Sequence, residues 1–200
     1  MSRPYSKGMT TVFQPGGLPL GKLTARQFTF LVDNGLFPDG EECELADGLL
    51  IQKPMQKFRH QFGVRALERI FVNRTLEPFD AHGNCTVLLS GIDVFDADLA
   101  VLRVPLEELG RNPEGSDIAL ACEVGDTTIA YDLEYKRLAY ARAGVPIYWV
   151  LDMVRSRLIV HEAPFGDDYT SVRTFAADAE IEAPFTGTTI QLTRLFPKND

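Results

Sequence analysis

The spacing of apolar residues along this chain shifts repeatedly between helical and strand-like periods. Leu23-Thr24-Ala25-Arg26-Gln27-Phe28 reads as a helix start, with Thr24 as N-cap, Gln27 closing a capping box and Leu23 against Phe28 as a hydrophobic staple. That helix is expected to run to about Asn34, where Gly35 ends it. Two short apolar runs then flank Asp47-Gly48, a strong hairpin signal, and strand alternation puts Glu44 on the face opposite Cys43 and Leu45. From about Lys57 to Leu76, the residues Phe58, Phe62, Ala66, Leu67, Ile70 and Phe71 recur at helical spacing, with Pro78 just beyond. They predict a second helix.

Val87–Val94 and Leu99–Leu102 read as strands separated by a sharp bend near Asp96, and Ile118–Val124 as a strand covered on both faces. Asp132 suits the N-cap of a helix running to about Ala143, with Gly144 as its C′ residue and Pro146 after it. Ile147–Leu151, Arg157–Glu162, Tyr169–Phe175 and Thr188–Leu192 complete the expected strands, with turns at Pro164-Phe165-Gly166 and Thr186-Gly187. The sum is an α+β (α/β sandwich-like) domain with a central mixed β-sheet flanked by helices.

Composition narrows the setting. With 200 residues and 45% hydrophobic content, the chain suits one globular domain, expected over residues 21–200 behind a flexible arm at 1–20. That arm is rich in proline and glycine and has no continuous apolar core, which argues against a signal peptide. Cys43, Cys85 and Cys122 are odd in number, widely spaced and without C-x-x-C spacing, so neither a disulfide framework nor a zinc knuckle is indicated and a reducing, cytoplasmic setting is expected. No segment reaches the length of a membrane span. The net charge of −8 and pI near 4.9 argue against duplex binding by the whole surface, so any nucleic-acid contact is local.

Two acids stand where chemistry is concentrated. Glu123 interrupts the apolar strand that starts at Ile118, and an unpaired carboxylate buried there costs several kcal/mol, by rough scale. Such a carboxylate is usually matched by a cation, either a metal or a basic side chain, and the plainer reading is an ion pair with an arginine. Asp98 lies near the end of another predicted strand and reads equally as a ligand or a turn cap. Magnesium or manganese, which prefer oxygen ligands, would suit these acids together with the backbone carbonyl of Val124. Lys136 sits just past the first helical turn and leans back toward the loop after Glu123, where a phosphate would lie; the plainer reading is a solvated lysine pairing with Asp132.

Residues 43–53 (CELADGLLIQK), 95–102 (FDADLAVL) and 117–152 together resemble the Uma-two family, a branch of the PD-(D/E)XK nuclease superfamily. The resemblance implies a restriction-endonuclease-like core and a metal-dependent endonuclease acting on DNA. Glu44, Asp98 and Glu123 would hold a magnesium or manganese ion, and Lys136 would position or activate water. Gly125 occupies the triplet position where the superfamily has lysine, and Lys136 aligns with the lysine taken to replace it. Ala97 stands where the superfamily has proline. His60, Asp126, Asp132 and the pair Tyr148-Trp149 also fit the family pattern.

His60 reads equally as a helix-orienting residue or a phosphate contact, Asp126 as a turn residue and Trp149 as core. Lys53, Lys57, Arg59, Arg65, Arg69 and Arg74 gather along one stretch as phosphate contacts or as the solvated border of a helix. A catalytically silent nuclease-fold module remains the second reading. A homodimer fits an enzyme cutting two strands, although no interface is legible in the sequence.

Overall fold

A computed structural model describes residues 21–36 and 43–197; the expected arm at 1–20 lies outside them. Helix α1 (Ala25–Asp33) begins with the expected capping box, in which Thr24 accepts from Gln27 and the Gln27 side chain answers to the Thr24 N–H. Strands β1 (Cys43–Ala46) and β2 (Leu49–Gln52) form the expected hairpin. Both turn residues, Asp47 and Gly48, have positive φ, as a tight two-residue turn requires. Helix α2 (Phe58–Phe71) follows.

Strands β3 (Asp80–Leu88) and β4 (Val94–Leu102) are one long antiparallel hairpin, and here the predicted bend is corrected. The turn lies at Ser90–Asp93, where the Asp93 carboxylate accepts from Ser90 Oγ, the Asp47 N–H and Tyr135 Oη. Asp96 continues β4 because Thr86 Oγ1 donates to its carboxylate and its own N–H donates to Glu44. After the short helix α3 (Leu106–Leu109) come β5 (Ile118–Gly125), β6 (Ile147–Asp152), β7 (Arg157–Phe165) and β8 (Asp168–Ala176). The sheet order is β2-β1-β4-β5-β6-β7-β8, with β3 also on β4 and only β5–β6 parallel. A separate hairpin joins β10 (Thr188–Gln191) to β9 (Glu180–Ala183), a strand that the apolar pattern had not marked.

The sheet is covered on both faces. Leu67, Phe71 and the 192–196 segment pack with Cys122, Val124 and Trp149 on one side; Tyr140, Tyr148 and Ala139 pack with Ala121 and Val150 on the other. The alternation of β5 therefore holds, and Trp149 is core, 2% exposed. Between β5 and β6 the chain winds through α4 (Ile129–Tyr131), a π-helical turn (Asp132–Lys136) and α5 (Arg137–Arg142). Asp132 is thus not the N-cap. The helix starts three residues earlier, and the wide turn carries Asp132 inward, where it is buried. No helix among the described residues is long and apolar enough to cross a membrane.

Candidate active site

The site forms where β4 changes neighbours. Along one edge β4 pairs with β1 at Val94 and with β5 only from Leu99 onward, which leaves 95–98 in a fork between those strands. Backbone donors in the fork lack ladder partners and must find others. The Asp96 N–H donates to Glu44 Oε1 at 3.2 Å, and the Val124 N–H donates to Asp98 Oδ2 at 2.7 Å. Each acid is therefore oriented by the backbone gap it fills.

Glu44, Asp98, Glu123, Asp132 and Lys136 are all buried around this fork. Lys136 Nζ stands 2.8 Å from Glu44 Oε1 and 3.1 Å from Glu123 Oε1, with the rings of Phe95 and Tyr131 beside it. Tyr140 Oη donates to Glu123 Oε1 at 2.9 Å. The cation facing Glu123 is thus a lysine, not the arginine that an ordinary buried ion pair had suggested. Burial would lower the Lys136 ammonium, but Glu123, Glu44 and Asp132 outweigh it and hold it well above its ordinary value. Burial pushes the Glu123 carboxyl well above the usual carboxylate range, against the pull of Lys136, and raises Asp132 to about 6.

α2 approaches closely because Gly63 has no side chain: a Cβ there would lie 2.7 Å from Val124 Cγ1. One turn earlier, His60 Nε2 comes within 3.2 Å of Asp98 Oδ2. The cavity has a volume of about 310 Å³, and its lining includes all four acids, Lys136, Lys53, His60 and Tyr131. His60 Nδ1 and Tyr131 Oη are buried without a hydrogen-bond partner. Each of Glu44, Asp98 and Glu123 uses a single oxygen in these bonds; Glu44 Oε2, Asp98 Oδ1 and Glu123 Oε2 form no hydrogen bond with the described residues.

This donor chemistry fits a hard divalent cation, which takes carboxylate oxygens. The geometry, however, is drawn onto the lysine: among the described residues no three His, Cys, Asp or Glu side chains already stand as a ligand group.

The structure brings Glu44, Asp98, Glu123, Lys136 and His60 together. Arg59 turns instead toward the Met153 carbonyl, Arg65 pairs with Glu68, and Arg69 lies at a separate hollow. Sequence reasoning left Lys53 on the basic surface, yet its Nζ is 3.6 Å from Glu44 Oε1. Hairpin register carried the signal, because Ile51 opposes Glu44 and Lys53, two residues on, returns to that face. Tyr140 was also missed, although it follows Lys136 by one helical turn on the same face.

Gly125 explains why the superfamily's triplet lysine cannot stand here. A Cβ at 125 would lie 2.5 Å from Ile129 Cδ1 and 3.0 Å from Ile129 Cα, so the position is closed by the start of α4. Gly125→Lys is expected to destabilise the fold by about 1–3 kcal/mol through overpacking. It should also fail to restore any function lost in Lys136→Met. Thermal unfolding of Gly125→Lys checks the first expectation, and cleavage assays on the Gly125→Lys, Lys136→Met double variant check the second.

The chain matches the family Uma2, described as "Putative restriction endonuclease", over residues 27–194. It belongs to that family. The crystal structure of "a putative nuclease belonging to DUF820" from Anabaena variabilis is 18% identical to this Uma2 chain. The alignment covers 86% of this chain and 97% of that one, with a TM-score of 0.61. The two share a fold, a central mixed sheet flanked by helices. No curated protein shows detectable similarity.

Proposed function

We propose that this Uma2 protein is a divalent-metal-dependent endonuclease hydrolysing phosphodiester bonds in DNA, with residues 21–200 acting as one nuclease-like domain. One observation carries the reading: the buried carboxylates of Glu44, Asp98 and Glu123 line one open cavity, two of them on Lys136 and the third on His60, each with one oxygen that forms no hydrogen bond with the described residues. Family membership and the nuclease-type neighbour support the same reaction class.

Glu44, Asp98 and Glu123 would hold magnesium or manganese, which supplies charge neutralisation at phosphate and water of lowered pKa when bound. The protein's own groups do the rest. Lys136 holds Glu44 and Glu123 together against their mutual repulsion, and its remaining N–H donors can orient water or a phosphate oxygen. His60 steadies Asp98 through Nε2 and leaves Nδ1 for a ligand in the cavity. Phe95 and Tyr131 exclude water from one side of the ammonium, which strengthens its field at the reacting phosphate.

A second reading has its own support. Lys136 already engages two of the proposed ligands, as expected for a silent nuclease-fold module stabilised by an ion pair. Incubation of supercoiled plasmid with Mg²⁺, Mn²⁺ or EDTA separates them. The nuclease reading expects metal-dependent nicking that disappears in Asp98→Ala; nicking absent in the wild type, or equal in the variant, supports the silent module.

A further inference from the structure

Helix α2 carries a second kind of surface away from the cavity. Phe58, Phe62, Ala66, Arg69 and Ile70 recur at three- and four-residue spacing and so share one face. Phe58 is 71% exposed, and its ring stands 6.2 Å from that of Phe62. Met55, on the rim of the cavity, is 91% exposed. Phe62 in turn lines a second hollow of about 800 Å³, floored by Ile70, Ile190 and Phe196 and rimmed by Arg69, Arg74 and Arg194.

Eight of the thirteen described arginines donate to a carboxylate or a backbone carbonyl, and three of the other five meet at this hollow. Arg65, Arg111, Arg137, Arg155, Arg157 and Arg173 each pair with a carboxylate. Arg69, Arg74 and Arg194 form no ion pair or hydrogen bond with any described residue, although the chain carries a net charge of −8. Like charges gathered at one apolar hollow repel each other, a repulsion that solvent screens and an anionic ligand relieves further. Phe62 lines this hollow, and Phe58 beside it follows Met55 and Lys57, which line the cavity. Arg69 lies about 14 Å from His60 along the helix axis, a distance that a few nucleotides of one strand can span.

An exposed ring, Phe58, beside the half-buried ring of Phe62 and near unpaired cations suits a strand whose bases are free to stack, whereas a duplex keeps its base faces inside. We propose that the α2 face binds one unpaired nucleic-acid strand, with bases against Phe58 and Phe62 and phosphates on Arg69, Arg74 and Arg194. The site then favours single-stranded segments or strand ends over uninterrupted duplex. This deepens the nuclease reading and rests on it for the link to chemistry, but the binding is measurable without cleavage.

Fluorescence anisotropy in EDTA, with a labelled oligothymidylate and a blunt duplex at several salt concentrations, tests it. The wild type should prefer the single strand by roughly tenfold or more, and Phe58→Ala should weaken that binding by about tenfold. The Arg74→Ala, Arg194→Ala double variant should lower the slope of log affinity against log salt by about 1.4, and the corresponding double lysine variant should keep most of the slope. All these positions are on the surface, and unchanged melting temperatures confirm folding. Equal affinity for both substrates, or variants that bind like the wild type, overturns the proposal. Cleavage of supercoiled plasmid and of circular single-stranded DNA by the wild type with Mg²⁺ or Mn²⁺, run in parallel, reports on the nuclease reading separately: binding as described without metal-dependent cleavage of either substrate defeats that reading and leaves the strand-binding face intact.

Discussion

Lys136→Met is expected to destabilise the metal-free protein by about 3–5 kcal/mol, because removing one partner of a buried charged cluster leaves the others uncompensated. Glu44, Glu123 and Asp132 would then face one another with Lys53 as the remaining lysine of the cavity among the described residues, and Lys53 is already engaged at a longer distance with Glu44 and Asp96. The loss should depend on pH in a defined direction. Burial already raises Glu123, and it raises Asp132 to about 6; without the ammonium both rise further. The folded state then binds more protons than the unfolded chain, so stability is present at low pH and lost as pH rises through the folded-state values. Thermal unfolding in EDTA at about pH 5 and about pH 8 should therefore show the smaller deficit at the acidic end. Mg²⁺ should recover part of the deficit near neutral pH, since a ligand that binds only the folded state stabilises it. A variant that melts like the wild type under both conditions would mean that Lys136 contributes nothing to holding the carboxylates.

Glu123→Gln should separate chemistry from stability. The amide keeps an oxygen to accept from Tyr140 but loses the charge, so metal-dependent cleavage is expected to fall on the order of 10³-fold or more. The metal-free fold should change by only about 1 kcal/mol, because Lys136 keeps Glu44 as its closest partner and one desolvated charge is removed. Cleavage assays paired with melting curves in EDTA read both quantities. If the variant instead loses several kcal/mol without metal, Glu123 is the buried half of a structural ion pair, and the silent-module reading gains. The wild type should also melt higher with Mn²⁺ than with EDTA, and Glu123→Gln should not.

The two largest effects thus fall on residues that hold each other in place but differ in kind. Lys136 compensates buried charge whether or not a metal is present, so its loss is felt in the apo fold. Glu123 adds to an excess of negative charge, which protonation relieves in the metal-free protein and, on the nuclease reading, a bound cation relieves in the working one.

Several elements were legible from short stretches because their causes are local. The capping box of α1 lies within four residues, and the β1–β2 turn needs only Asp47 and Gly48 to adopt positive φ. The buried strand around Glu123 announced itself through an acid in an apolar run. The errors share an opposite cause. Asp96 looked like a bend because it interrupts apolar residues, but Thr86 and Glu44 satisfy its polar groups from other strands. Asp132 looked like an N-cap because aspartate usually caps helices, but a π-helical turn swings it into the cavity. Strand β9 is only four residues long and pairs with β10 alone, so its alternation of glutamates with Ile181 and Ala183 is too brief to distinguish it from loop.

Periodicity and composition along the chain were enough to specify a sheet-and-helix domain and to single out Glu123 as an acid in need of a cation. They could not choose that cation, because the choice depends on contacts between distant segments: Glu44 and Lys136 are 92 positions apart in sequence yet share a hydrogen bond. Long-range packing also decided that Gly125 must stay bare, that Lys53 joins the site and Arg65 does not, and that three arginines from two separate segments meet at one hollow. Local patterns report the forces that act within a turn or a strand, whereas burial and charge compensation depend on what the folded chain brings alongside.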